Sequence, residues 1–107
     1  MLFRSVGPAS LNLREIEELL DAGAPSLVVD VLADRALESP AQAVAEAHLL
    51  ARARLELGQA DAAEAGLLAT KRAHAAPARA WRAALELAAN HGLCGAVMEL
   101  EIGRAHV

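Results

Sequence analysis

A chain of 107 residues with a formal charge of −4 makes one small domain at most, and it is 55% hydrophobic but only 2% aromatic. The acidic balance argues against non-specific binding to nucleic acid or to an anionic membrane. The single cysteine, Cys94, excludes an internal disulfide and fits a reducing compartment, and no apolar run is long enough to span a bilayer.

A core of alanine and leucine with so few rings buries little area per residue, so it suits helices packed close together. Ala, Leu, Glu and Arg are strong helix formers, and they dominate from the start. The first predicted helix covers 10–22 and is closed by Gly23; its charge run, Glu15, Glu17 and Glu18, reads as a solvated face. The stretch Leu27-Val28-Val29-Asp30-Val31-Leu32 is β-branched enough for a strand. It continues into Ala33-Asp34-Arg35-Ala36-Leu37-Glu38, which is helical in composition, so 25–38 is read as a buried helix.

Ser39-Pro40-Ala41-Gln42 opens a third helix, 40–57, with Ser39 as cap, Pro40 in the first position and Gln42 closing a capping box. Gly58 ends it. Asp61-Ala62-Ala63-Glu64 repeats the same start for a helix over 60–75. A fifth helix, 77–91, carries Trp81 and ends at Gly92, and a sixth covers 93–100. Connections of two to four residues require neighbouring helices to run antiparallel.

Catalytic chemistry has no visible carrier. His48, His74, His91 and His106 form no i, i+4 pair, and no cysteine stands at zinc-ligand spacing from them. His74 and His91 read as helix C-terminal residues that suit the dipole. Cys94 begins a short helix, a place where a thiol pKa can fall, but a buried inert thiol is the expectation. No phosphate-binding glycine loop, nucleophile elbow or paired-metal carboxylate cluster occurs. The expectation is therefore no catalytic residue, no metal and no cofactor, and binding rather than catalysis.

Gly23, Gly58 and Gly92 are spaced 35 and then 34 residues apart, with two predicted helices per interval. The segment Leu57-Gly58-Gln59-Ala60-Asp61-Ala62-Ala63-Glu64-Ala65 resembles the turn between the two helices of a tetratricopeptide repeat, with Ala63 at the small-residue position. Trp81 lies eleven residues before Gly92 and Pro40 seventeen after Gly23, as in that family. Departures are Val28 at the small position of the first repeat, Pro77 two residues late, and Ala or Leu where larger residues are usual.

The resemblance implies an all-α fold of antiparallel helix pairs, about 10–38, 40–75 and 77–100, stacked as a short α-solenoid of about two and a half repeats. It implies a protein–protein interaction segment of a larger bacterial, cytoplasmic protein, with a groove lined by the first helix of each pair. Groove positions would include Glu17, Leu20 and Asp21, then His48, Arg52 and Leu55, then Arg79, Arg82 and Glu86. His48, Arg52, Arg79 and Arg82 form the candidate partner-binding patch, suited to an acidic protein or peptide through forked arginine contacts. The alternative for the arginines is pairing with Glu at helical spacing. Two other roles are open: the sensor region of a large ATP-binding helix-turn-helix transcription regulator, or a helical accessory region of an enzyme. Direct nucleic-acid contact and membrane contact by this segment are not expected.

Both ends resemble translated sequencing adapter. Met1-Leu2-Phe3-Arg4-Ser5 matches one strand of the common short-read adapter, and Ile102-Gly103-Arg104-Ala105-His106-Val107 matches the other. Residues 1–5 and 102–107 are accordingly read as adapter-derived and 6–101 as the helical repeat segment. Without Arg4 and Arg104, 8 basic residues face 14 acidic ones, a charge of −6. On this reading the face of Leu85, Leu87 and Val97 lacks its next partner, and self-association through that end is expected.

Overall fold

The computed structural model describes residues 12–33, 39–74 and 76–105, and within them the chain is helical with no strand. Six α-helices follow one another among these residues. They are α1 (Leu13–Asp21), α2 (Pro25–Ala33), α3 (Pro40–Glu56), α4 (Ala60–Ala73), α5 (Arg82–Asn90) and α6 (Cys94–Ala105). The predicted helical residues 10–11, 34–38 and 75, and the adapter-like residues 1–5, 106 and 107, lie outside the described residues. The β-branched stretch is helical, as expected. It is buried on one side only: Val28, Val31 and Leu32 turn inward while Leu27 is 51% exposed.

The three glycines end their helices in one and the same way. Gly23, Gly58 and Gly92 have φ of +84°, +78° and +70°, the left-handed region in which a Cβ is penalised. After α1, the Gly23 N–H bonds the carbonyl of Leu20 and the Ala24 N–H that of Leu19. Gly58 and Gln59 do the same to Leu55 and Arg54, and Gly92 and Leu93 to Ala89 and Ala88. This paired pattern satisfies carbonyls that the helix end leaves open.

The N-termini depart further from expectation. Ser39 caps α3 through Gln42 N–H at 3.2 Å, but the Gln42 side chain does not close the box. It donates instead to the buried Glu46 carboxylate, one turn on, at 2.7 Å. Helix α4 is preceded by Gln59 with no side-chain cap, so Asp61-Ala62-Ala63-Glu64 is not a capping box. A complete box stands where none was expected, between Asn12 and Glu15. The fifth helix does not begin as an α-helix. Pro77, extended and without an N–H, leads into a 3-10 turn over Ala78–Trp81, closed by Ala80 N–H to the Pro77 carbonyl. Helix α6 runs five residues past its expected end at Leu100, because one glycine, Gly103, among good helix formers weakens a helix without breaking it.

Two cores share α3. Ile16, Leu20, Val28, Val31 and Leu32 of α1 and α2 close on Leu49 and Ala53. On the other side, Val44, Ala47 and Ala51 meet Ala63, Leu67, Trp81, Ala84, Leu85, Ala88, Leu93, Ala96 and Leu100. The i, i+3, i+4 spacing of each α3 set puts them on opposite faces of the helix. Many contacts are alanines, which let helix axes approach closely. Leu85 is buried and Leu87 and Val97 pack against the larger core, so the expected open face does not consist of those three.

Candidate functional site

Between the two buried faces of α3 lies a third, carrying Ala45, His48 and Arg52. Ala45 and His48 form the floor of a groove of about 380 Å³, open to solvent. One wall is α1, with Leu13, Arg14 and Glu17. The other comes from the end of the 3-10 turn and the start of α5, with Ala80, Ala83 and Ala84. Val44 and Leu49 complete the floor. The alanines make the space: a larger side chain at any of these positions would fill it. One position recurs in all three helices, since Arg14, Leu49 and Ala83 each stand nine residues before a turn glycine and all line the groove.

His48 is half-buried in this groove. Burial holds its pKa below the usual 6.5, the neighbouring Arg52 lowers it further, and Glu17 opposes both. At neutral pH the ring is therefore uncharged and offers one donor and one acceptor.

The four basic candidates do not assemble as a free cationic patch. Arg52 reaches across to α1, with Glu17 at 3.8 Å and Asp21 at 3.7 Å, so two carboxylates balance it. Arg82 pairs one turn along its own helix with Glu86 at 3.6 Å. Arg79 stands exposed on the 3-10 turn. Of the four, only His48 lines the groove; Arg52 lines a smaller cleft of about 240 Å³ with Leu55, Glu56, Leu87 and His91. Glu17 is in the groove as expected, but Leu20 is buried in the core between α1, α2 and α3. The acidic run on α1 is not merely a solvated face: Glu15 caps, Glu17 holds Arg52 and Glu18 pairs with Arg14.

Ala45, Ala80, Ala83 and Ala84 were missed because an alanine carries no functional signal; only its recurrence relative to the glycines could have pointed to it. Elsewhere, His74 and His91 cap the ends of α4 and α5 as expected. Cys94 opens α6 but is exposed, not buried, because it sits on the outer side of the first turn. Among the described residues no three His, Cys, Asp or Glu side chains gather as metal ligands, and no helix is long and apolar enough to cross a membrane.

Comparison with family models, with curated proteins and with solved structures gives no match.

Proposed function

We propose that this chain is a protein–protein interaction segment built as a short tetratricopeptide-like α-solenoid, with the groove across α1, α3 and α5 as its peptide site. The observation that carries the reading is that the first helix of each pair contributes to one groove, through residues in the same register from the turn glycines. The packing supports it: α1 touches α3, α3 touches α5 and α4 touches α6, as stacked pairs would. The three identical helix ends add the repeat period. The site acts by shape and desolvation, with no reaction of its own.

The lining selects the kind of peptide. Its floor is small and apolar and its rim is charge-balanced, so an apolar side chain enters the groove and the neutral His48 ring hydrogen-bonds to the peptide backbone. Any preference for acidic flanking residues rests on the exposed Arg79. A displayed peptide library panned on the chain, followed by amide chemical-shift mapping, tests this. Selected peptides are expected to shift Ala45, His48, Ala80 and Ala83, and Ala83→Arg is expected to abolish binding without unfolding the chain. Binders whose shifts fall elsewhere, and which tolerate Ala83→Arg, would refute the site.

A further inference from the structure

The groove and the smaller cleft are two stretches of one trough. Early residues of α1, α3 and α5, such as Arg14, Ala45 and Ala83, line the groove; later residues of α3 and α5, such as Glu56 and Leu87, line the cleft. Arg52 of the cleft joins the two, since it reaches Glu17 of the groove and Asp21 one turn further along α1. Early positions meet early ones and late positions meet late ones, so the three helices run in one direction and their dipoles add along the trough. From Ala45 to Glu56 the trough is about 16 Å long at the helical rise of about 1.5 Å per residue. An extended peptide covers that distance in about five residues.

The charges along this trough are balanced in sum but not in order. A helix is stabilised by carboxylates in its first turn and cations in its last, which oppose its dipole. Helix α4 is built that way, with Asp61 first and Lys71 and Arg72 last. The trough helices reverse the order. Helix α5 has no acidic residue in its first turn and no basic one in its last. On it Arg82 precedes Glu86, and on α1 Arg14 precedes Glu18, each pair in the order that helps a helix less. On α3 Arg52 precedes Glu56, and the last-turn Arg54 reaches the Ala62 carbonyl of α4 instead. The one first-turn carboxylate, Glu15 of α1, is engaged in its cap. Helix stability does not account for such an order. It gives the trough a positive end, with Arg14 in the lining and Arg79 and Arg82 exposed beside Ala80 and Ala83. Its negative end carries Asp21, Glu56 and Glu86.

We propose that the ligand of this trough is an extended peptide with an apolar centre, one acidic end and one basic end, held in a single direction by charge complementarity. Its acidic end lies beside Arg14, Arg79 and Arg82, and its basic end beside Asp21, Glu56 and Glu86. The apolar centre sits on the alanines of the groove. The inference rests on the reading of the groove as a peptide site and adds to it the order of charges that the peptide must carry.

Four blocked synthetic peptides with a central leucine, titrated onto the full chain, test it. One has aspartates at one end and lysines at the other, one has aspartates at both ends, one has lysines at both, and one is uncharged. The first is expected to bind about tenfold more tightly than the uncharged peptide, an advantage that high salt removes. A nitroxide beside its acidic end is expected to broaden the amides of Arg79 and Ala80, and one beside its basic end those of Glu56 and Leu87. Arg79→Glu combined with Arg82→Glu, both at exposed positions, is expected to leave far-UV circular dichroism unchanged and to shift the preference to the peptide with lysines at both ends. Equal binding of all four peptides leaves the groove standing and overturns its polarity, as does broadening at both ends by either label. A double variant with the wild-type preference overturns it as well. Failure of all four to bind removes the groove as a peptide site and this inference with it.

Discussion

The Glu64 carboxylate on α4 accepts the backbone N–H of Ala96, 2.9 Å away and 32 residues later in the chain. It satisfies one of the free donors at the start of α6, the task a side chain just before a helix ordinarily performs. Gly95 makes the approach possible, since a Cβ there would stand 2.9 Å from the same carboxylate oxygen. Removing this long-range cap by Glu64→Ala is expected to cost about 1 kcal/mol in urea unfolding. Gly95→Ala has two opposed effects, a gain in helix propensity of about 0.5–1 kcal/mol and loss of the cap. It is therefore expected to be near neutral in the native chain and stabilising in the Glu64→Ala background. Equal effects in both backgrounds would show the two residues to be uncoupled.

At Gly58 nothing lies within 4 Å of an added Cβ, and φ is +78°. The cost of Gly58→Ala is then conformational alone, about 1–2 kcal/mol, and should appear as a lower Tm. Gly23→Ala and Gly92→Ala should match it closely, since all three glycines make the same turn. A much larger loss at one of them would show that its turn carries packing the other two lack.

Acidification is expected to destabilise the fold through His48. Its folded pKa lies below the ordinary 6.5, so the unfolded chain takes up the proton first. Stability is full above pH 6.5 and falls as pH drops from there toward the folded pKa, where the whole penalty is reached. His48→Gln should flatten that part of the curve, compared by urea midpoints at a series of pH values. An unchanged slope in the variant would assign the effect to other groups.

Trp81 is 2% exposed, and its indole N–H is buried without an acceptor among the described residues. Trp81→Ala is expected to cost about 3–5 kcal/mol by the cavity it leaves. Trp81→Phe loses volume too but also removes an unsatisfied donor, itself a burden of about 1–3 kcal/mol. The Phe variant should therefore lose less than half of what the Ala variant loses. Equal losses would mean that the N–H is satisfied in solution, by water for example.

Local signals were legible in the sequence, and contacts across helices were not. Helix placement followed from composition and from Gly23, Gly58 and Gly92, because a left-handed turn needs a residue type that can be read directly. Ser39 and Pro40 announced α3 for the same reason. Glu64 was misread because its spacing from Asp61 imitates a cap, while its partner is a backbone N–H that no pattern marks. His48 and Arg52 share one face of α3, as their helical spacing requires. Their charge state was not legible, since Glu17 and Asp21 arrive from another helix and burial acts on the ring only in the folded chain. The groove escaped because it is made by what alanine omits.

Helix α3 has no core of its own; it is the common wall of two. If α1 and α2 detach, Leu49 and Ala53 are bared, and if α4, α5 and α6 detach, Val44, Ala47 and Ala51 are. Neither half can come apart without stripping the helix that the other half leans on. The molecule is thereby wired to melt as one unit, with the α3 amides the last to exchange their protons for deuterium.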